Sequence, residues 1–579
     1  MARATKLIGA ALLVGFVAGG LIWATRPVPR PPQEGSLRGG AAVSSIRSEP
    51  QTFNRLVGRD PVTDTVASLT HAKLVRVNRV TQELEPWLAE SWTRSADGLS
   101  YSVRLRHGLT FSDQVPFTSA DVVFTFQAVY DPKVGSALAE SLRVGGKPLQ
   151  VSAPDQDTVI ITFPSLFGPG LRLLDNLPIL PRHRLEPALK SGTLAEAWGV
   201  RTPPGEMAGL GPFVLAEYAA GQRLVFLRNP HYWRTDGSGI PLPYLERLTL
   251  EIVPDQNAEL LRLQTGQTDF GQSEVRAEDY AALKRAADDG RLTLVDLGVG
   301  LDPDSLWFNL NPKSKGADPK RPWLQQVELR RAISHAVDRR AFADAVFLGA
   351  AVPVDGPITP GNRRWYDPGL PTYAFDRAAA ARLLAGIGLA DRDGDGALED
   401  ARGVPARFTL ITQKGNTALE RGASFLREDL RQVGLVVDVV PLDFGALVTR
   451  LEHGDYEAIY FRFLTTDLDP ALNLDLWLSS GGAHVWHPSQ AKPATDWERR
   501  IDELMAQQVA TLDEARRKAL FDEVQRIFAG ELPIIHFAAP RVYVATSTRI
   551  LNATPSLLRP AILWNPDPLA VRRPGGTGN

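Results

Sequence analysis

Residues 86–124 read PWLAESWTRSADGLSYSVRLRHGLTFSDQVPFTSADVVF. Within this stretch, Tyr101–Arg106 alternates apolar and polar side chains, which is the pattern of a strand with one buried face. The Asp97-Gly98 pair lies just before it and is typical of a turn between two strands. Residues 118–121, Thr-Ser-Ala-Asp, carry a helix-start signal. The stretch therefore predicts a hairpin followed by a helix.

The same alternation of strands and helices continues to both sides of this stretch. Leu248–Ile252 has the pattern of a half-buried strand, and Leu435–Val440 that of a buried one. Three capping-box patterns begin helices, each with Glu three residues after Thr; they start at Thr417, Thr495 and Thr511. The sequence therefore predicts a mixed α/β protein.

The overall composition excludes several classes of function. Of the 579 residues, 44% are hydrophobic and the formal net charge is -2, and no basic block follows the first thirty residues. A nucleic-acid groove needs clustered cations, so we expect no nucleic-acid partner. The chain has no cysteine, which excludes disulfides, thiol nucleophiles and Cys-ligated zinc.

The N-terminus carries an export signal. Arg3 and Lys6 precede an apolar run, Leu7–Ala24, whose about eighteen residues would extend about 27 Å as a helix, close to the thickness of a bilayer core. Residues 1–25 are therefore either an uncleaved anchor or a cleaved signal peptide. Both alternatives place the rest of the chain outside the cytoplasm. Residues 26–43 are rich in Pro and Gly and are predicted to be a spacer.

Motifs of enzymes are missing from the sequence. It contains no glycine-rich P-loop, no nucleophile elbow and no H-E-x-x-H. We therefore predict no catalytic residue, no cofactor and no enzymatic activity. His484 and His487 lie three residues apart in a Gly-rich loop, where they are either a metal pair or, as we favour, structural or solvated side chains.

An Asp-rich turn resembles the start of a calcium loop. Asp391, Asp393 and Asp395 occupy the first, third and fifth positions, but the twelfth position holds Arg402 in place of the expected Glu. Only Glu399 or the acid that follows it could substitute. We predict no metal site here and interpret the acids as a turn, with a structural calcium clip as the alternative.

Several stretches together identify a family. They are the one already quoted, GLGPF at 209–213, RNPHYW at 228–233 and LRRAISHAVDR at 329–339. In this order they resemble the dipeptide/oligopeptide-binding family of ABC-transporter solute-binding proteins, family 5 of the extracellular solute-binding proteins. The resemblance runs from about residue 44 to about residue 570. Most of these residues read as scaffold, so they indicate the family and do not locate the site.

The resemblance implies a fold. Members have a two-lobed α/β periplasmic-binding-protein fold, type II and similar to cluster C, with an extra small domain inserted in the first lobe. On this sequence, lobe I would comprise 44–300 and 540–571, with the inserted subdomain at about 68–200. Lobe II would comprise 301–539, and 572–579 would form a flexible tail.

The resemblance also implies a function. A solute would bind between the lobes, which close by bending at the two chain crossings near 301–309 and 534–543. Membrane permease subunits of an ABC importer would then recognise the closed form of a monomeric protein. A peptide is the expected ligand. The alternatives are an oligosaccharide, an opine-like compound or a metal chelate on the same scaffold, or a membrane-tethered ligand sensor.

Three ligand-binding candidates follow from the resemblance. In peptide-binding members, an acid shortly before a D-P or E-P step pairs with the ligand's α-ammonium. The matching residues here are Asp467, with Asp469 as the reserve, ahead of Pro470; the alternative is a turn or capping aspartate. Arg462 either holds a ligand carboxylate or balances Asp467 or Asp469, and we favour the balancing role.

Overall fold

The computed structural model describes residues 37–572, apart from residues 315, 317, 319, 320, 465 and 466. In chain order, its strands are β1 (Ala41–Ile46), β2 (Val75–Val77), β3 (Leu84–Pro86), β4 (Ala89–Arg94), β5 (Ser100–Leu105), β6 (Arg143–Val144), β7 (Lys147–Pro148), β8 (Gln150–Ser152), β9 (Thr158–Thr162), β10 (Phe213–Ala219), β11 (Arg223–Arg228), β12 (Arg247–Ile252), β13 (Phe270–Gly271), β14 (Leu292–Val299), β15 (Ser305–Phe308), β16 (Ala351–Pro353), β17 (Arg407–Gln413), β18 (Val436–Leu442), β19 (Ala458–Phe461), β20 (Ile534–His536), β21 (Ala538–Ser547), β22 (Ile550–Leu551) and β23 (Ala570–Val571). Its α-helices are α1 (Pro61–Thr70), α2 (Ser119–Tyr130), α3 (Arg182–Ser191), α4 (Gln256–Gln264), α5 (Ala277–Asp288), α6 (Val327–Ala336), α7 (Arg339–Phe347), α8 (Arg377–Gly386), α9 (Thr417–Arg431), α10 (Phe444–Glu452), α11 (Leu474–Trp477), α12 (Asp496–Ala510) and α13 (Glu514–Glu531).

Three sheets organise the molecule. The largest has eight strands in the order β10-β11-β12-β1-β13-β21-β14, with β16 paired to β21. A five-stranded sheet has the order β18-β17-β19-β15-β20, and a four-stranded sheet the order β4-β5-β9-β8. We call the bodies built on these sheets the first lobe, the second lobe and the subdomain.

The chain passes between the two lobes twice. It leaves the eight-stranded sheet after β14 to form β15, and it returns from β20 to β21. β1 begins at Ala41, inside the segment predicted as spacer, because residues 41–46 pair in parallel with β12. The residue bounds predicted for the lobes and the inserted subdomain stay predictions.

The cores explain how the sheets are covered. Side chains of the first lobe and of the subdomain share one core, which includes Phe213 and Phe270 together with Val103 and Ile161. In the second lobe, neighbouring residues of β15 belong to opposite cores: Leu306 lies in one and Trp307 in the other. The five-stranded sheet is therefore buried on both faces, as expected for a sheet between two layers of helices.

The hairpin and helix predicted from residues 86–124 are confirmed. β4 and β5 pair antiparallel, and Gly98 in their turn has a φ of 76°, a left-handed conformation that glycine adopts without strain. α2 begins at Ser119, and the Asp121 carboxylate accepts a hydrogen bond from the Thr118 backbone N–H at 2.9 Å.

Of the three helix starts predicted in the second half, one is confirmed as written. Thr495 and Glu498 form a capping box at α12. The other two N-caps are wrong, because a neighbouring amide or carboxylate caps the helix instead. Asn416 caps α9, and Asp513 caps α13.

The described residues, 37–572 with the gaps given above, include no helix that is long and apolar enough to cross a membrane. The predicted anchor or signal peptide at 1–25 lies outside them. So does the first part of the predicted spacer, up to residue 36, and so does the tail beyond residue 572.

Candidate functional site

A cavity of about 730 Å³ lies between the two lobes. On the first-lobe side it is lined by residues that follow the carboxyl ends of β1 and β13, such as Arg47 and Gln272. On the second-lobe side it is lined by Gln413 at the end of β17 and by Arg462 after β19. β1 and β13 run parallel, as do β17 and β19. The cavity thus lies at the carboxyl ends of parallel strands in both sheets, where α/β proteins bind ligands.

A segment that connects the lobes completes the cavity. Residues 540–543, in β21, line it, and the ring of Tyr543 packs against that of Tyr280 with centroids 4.5 Å apart. A change in the angle between the lobes would therefore alter the shape of the cavity directly.

Arg462 brings a fixed positive charge to the second-lobe wall. Its Nε donates to Asp304 Oδ1 at 2.7 Å, and the Tyr460 hydroxyl donates to Asp304 Oδ2. The Asp304 side chain is 0% exposed, whereas that of Arg462 is 19% exposed. Burial alone would lower the pKa of Arg462, but Asp304 outweighs it and raises the pKa. The partner predicted for Arg462, Asp467 or Asp469, is therefore wrong; Asp304 balances it.

Carboxylates lie on the first-lobe wall. Glu274 pairs with Arg559 at 2.5 Å, and both line the cavity. Glu278, in α5, lies 3.6 Å from Arg421 in α9, so this ion pair joins the two lobes. The cleft therefore presents charges of both signs to a ligand.

An apolar surface lies at the same edge of the second lobe. Phe444 follows β18 and Phe463 follows β19; with Leu464 they are exposed, Leu464 to 57%. The Phe463 ring stacks on that of Trp307 with centroids 5.1 Å apart. We call Phe444, Phe463 and Leu464 the apolar rim.

Asp467 lies at the border with the subdomain and is not among the residues that line the cavity. Its Oδ1 is 3.6 Å from the Nε of Arg172 and accepts a hydrogen bond from the backbone N–H of Asp469 at 3.0 Å. Burial raises the pKa of Asp467 to about 6, against the opposing effect of Arg172. The ligand role predicted for Asp467 stays a prediction.

Asp469 is engaged within the protein. Arg517 donates to both of its carboxylate oxygens, at 2.6 and 2.9 Å, and Asp469 also caps the short 3₁₀ helix at 470–472. Both side chains are almost fully buried. A ligand could reach Asp469 only by breaking this pair, and its predicted reserve role also stays a prediction.

The Asp-rich turn brings four carboxylates together. Asp391, Asp393, Asp395 and Glu399 offer oxygens within 4.8 Å of one another. Backbone N–H groups already donate to them, for instance Gly394 to Asp391 at 2.7 Å. These bonds account for the turn, and binding of an ion there stays a prediction. Glu399, rather than the acid after it, is the fourth member of the cluster.

His484 has a structural role. Its Nδ1 lies 3.1 Å from the carbonyl oxygen of Leu476, and its Nε2 lies 3.3 Å from Glu498. Burial would raise the pKa of Glu498, but hydrogen bonds from His484, Gln490 and Thr495 lower it to about 2. Both ring nitrogens of His484 are thus engaged, which leaves none for a metal shared with His487.

Sequence reasoning missed Asp304. The one signal for it is its place directly before β15, a fully buried strand, because a carboxylate in such a place needs a charged partner. The sequence does not indicate that this partner comes from the end of β19.

Comparison with known proteins identifies the family. Residues 83–484, more than half of the chain, match the family described as bacterial extracellular solute-binding proteins, family 5 middle. A probable ABC transporter-binding protein of Deinococcus radiodurans is 27% identical over 538 residues, which cover 89% of this chain and 90% of that protein.

Solved structures confirm the two-lobed periplasmic-binding α/β fold. The oligopeptide-binding protein AppA of Bacillus subtilis, in complex with a nonapeptide, superposes with a TM-score of 0.70 at 24% identity over 93% of this chain and 100% of its own. The periplasmic binding protein MelB of Agrobacterium fabrum C58, in complex with stachyose, gives 0.71 at 23% identity over 94% and 86%. This chain therefore belongs to the bacterial extracellular solute-binding proteins, family 5.

Proposed function

We propose that this chain is the extracytoplasmic substrate-binding component of an ABC importer and that it captures peptides in the cleft between its lobes. The observation that carries the proposal is a cavity of about 730 Å³ with charges of both signs on its walls. That volume is within the usual range for a small-ligand site. A free-ended peptide carries a carboxylate and an ammonium, and complementary charges on the protein select for both.

Arg462 is the proposed partner of the ligand carboxylate. Asp304 holds the guanidinium in place, and part of the side chain stays exposed in the cavity wall. A charged group that is already oriented loses little conformational entropy when a ligand binds.

Asp467 remains the proposed partner of the ligand's α-ammonium. Its carboxylate is buried, and the nearest cation, Arg172, is 3.6 Å away, beyond hydrogen-bonding distance. A ligand ammonium would compensate this carboxylate better than Arg172 does. Since Asp467 does not line the cavity, we propose that it becomes accessible when the second lobe separates from the subdomain, and that the ligand ammonium stays beside it in place of Arg172 when the lobes close.

Hydrogen bonds join the second lobe to the subdomain, and they would break in the proposed hinge opening. Gln82 Nε2 donates to the carbonyl of Gly361 at 3.0 Å, and the backbone N–H of Gly168 donates to the carbonyl of Val509 at 2.5 Å. A ligand that contacts both lobes shifts the population towards the closed state by its differential affinity. ABC permease subunits would recognise that closed state in a monomeric protein. Residues 1–25 would keep the protein at the membrane or be cleaved on export to the periplasm.

The test uses the full chain, freed of carried-over ligand by partial unfolding. Free-ended peptides of two to nine residues should raise the melting temperature in a concentration-dependent way. The same peptides with acetylated and amidated ends should not, because they lack both charges. The peptide proposal fails if no free-ended peptide shifts the melting temperature.

An oligosaccharide is the second candidate ligand, and the apolar rim favours it. Exposed aromatic rings at the binding edge can stack on the apolar faces of sugars; MelB provides a family precedent. In this case stachyose would raise the melting temperature, and Phe463→Ala would reduce that shift. Phe375→Ala is the matched control, since Phe375 is also exposed but packs near Arg377.

A further inference from the structure

A small recess lies in the first-lobe wall of the cleft. It has a free volume of about 50 Å³ and shares Gln272, Ser273 and Glu274 with the lining of the large cavity. Its inner side is apolar and includes Leu263 and Leu283. A single water occupies on the order of 10–15 Å³ by the same measure, so the recess has room for a small polar group and its attached carbon.

Two hydrogen-bond acceptors in this recess have no donor. Glu259 is 5% exposed; its Oε1 accepts from the Ser45 hydroxyl at 2.8 Å, but its buried Oε2 has no partner. Gln272 donates through Nε2 to the Ser44 hydroxyl at 3.1 Å, which leaves its buried Oε1 without a partner as well. Buried acceptors without a donor are rare in folded proteins.

The cation that lines this recess, Arg559, is paired with Glu274 and not with Glu259. Among the described residues, no lysine, arginine or histidine forms an ion pair with Glu259. The carboxylate packs against the backbone of Gly271: a Cβ there would lie 2.7 Å from Glu259 Oε1, so a larger residue would displace the carboxylate. Glu259 Oε2 is thus a buried acceptor for which the described part of the chain provides no donor.

We propose that this recess is a specificity pocket of the ligand cleft and that it binds a primary ammonium group of the ligand, such as a lysine side chain. The ammonium would donate to Glu259 Oε2 and Gln272 Oε1 together, while its methylene stem would extend back into the large cavity. A guanidinium is larger and planar, and it fits a recess of this size less well. The inference rests on the proposed function and adds a side-chain preference to it.

The experiment measures binding of free-ended tripeptides to the full chain by calorimetry. In one series, lysine replaces each alanine of Ala-Ala-Ala in turn; in the matched series, methionine does so, since it is similar in length but uncharged. At one position the lysine peptide should bind about tenfold tighter or more, the expected size for a hydrogen-bonded charge. Acetylation of the lysine Nζ should remove this advantage without any change in the protein.

A variant then assigns the preference to the recess. Glu259→Gln keeps the size of the side chain and an acceptor for Ser45, and it should bring the ratio of lysine to methionine affinities close to one. Asp438→Asn is the control, because Asp438 pairs with Arg407 on the surface of the second lobe, and the ratio should be kept. Circular dichroism establishes that both variants are folded.

The possible outcomes separate this inference from the function on which it rests. If lysine and methionine peptides bind equally at every position, the recess holds only water and the inference is overturned, while peptide binding stands. If acetyl-lysine binds as tightly as lysine, the charge is irrelevant and the inference is again overturned. If neither these tripeptides nor any other free-ended peptide of two to nine residues binds, the proposed function fails and the inference fails with it.

Discussion

The cleft side and the subdomain side of the second lobe each contain a buried aspartate paired with an arginine. On the cleft side, Asp304 is fully buried while Arg462 is partly exposed. On the subdomain side, Asp469 and Arg517 are both almost fully buried, and Arg517 contacts a glycine of the subdomain, Gly168. The first pair presents a charge to solvent and the second presents none. The exposure of the arginine, rather than the ion pair itself, is therefore the reason why Arg462 is proposed as a binding group and Arg517 is not.

The largest effect is expected when the fully buried pair is broken. Arg517→Met would leave the Asp469 carboxylate buried without its cation, and we expect the free energy of unfolding to fall by about 3–5 kcal/mol. Urea denaturation followed by tryptophan fluorescence measures this.

The double variant Asp469→Asn/Arg517→Met is the control for that prediction. It removes both charges, so it should recover more than half of the loss. A single variant that loses less than about 1 kcal/mol, the typical value of an exposed pair, would contradict the structural role.

Breaking the cleft-side pair should lower stability less than breaking the buried pair, and it should also weaken ligand binding. Arg462 is partly exposed in the cleft wall, so in Arg462→Met water can reach Asp304, which also keeps the hydroxyl donor of Tyr460. The loss of stability should therefore be smaller, about 2 kcal/mol. Affinity for a free-ended peptide should fall by about tenfold or more, because the partner of its carboxylate is gone. Calorimetry with the free peptide and with its C-terminal amide separates the loss of the carboxylate contact from a general loss of affinity. If the variant weakens binding of the amide as strongly as that of the free acid, Arg462 does not bind the carboxylate.

The contribution of Asp467 to folding stability should depend on pH. Its pKa is raised to about 6 in the folded protein, against a usual value of about 4. Between about pH 4 and pH 6 the folded protein therefore keeps a proton that the unfolded chain has released, and this contribution to stability is lost as the pH rises. Relative to wild type, Asp467→Asn should gain on the order of 1 kcal/mol across this interval. Melting curves at pH 4, 5, 6 and 7 measure the difference; a flat difference would show that Asp467 is solvated like an ordinary carboxyl group.

Local patterns along the chain were sufficient to predict much of the fold. The hairpin of β4 and β5 and the helix α2 follow from alternation, a turn pair and a capping acid, all within a few residues of one another. Helix starts were less certain, because several polar residues near each end can cap. Asn416 and Asp513 were chosen over the threonines by geometry that the sequence does not contain.

The site was harder to predict, because its members meet only through the tertiary fold. Arg462 was identified, but its partner Asp304 lies 158 positions away in the sequence. Nothing in the sequence marks Glu259 and Gln272, because their contacts with Ser45 and Ser44 of β1 form only in the folded protein. The resemblance led to residues 462–469, whereas no family signature led to the first-lobe wall.

The smallest effect is expected for a bidentate arginine–aspartate pair on the surface of the second lobe. Arg407 donates to both oxygens of Asp438 at 2.7 and 2.9 Å, close to the distances between Arg517 and Asp469, but its side chain is 59% exposed. Water already solvates both charges, so Arg407→Met should cause no measurable change in urea denaturation. The substitution is chemically the same as Arg517→Met, but Arg517 is buried and also contacts the carbonyl oxygen of Gln508 and the ring of Trp365. Equal losses in the two variants would mean that bidentate geometry sets the strength of these pairs, and the exposure of Arg462 would then no longer distinguish it as a ligand-binding group.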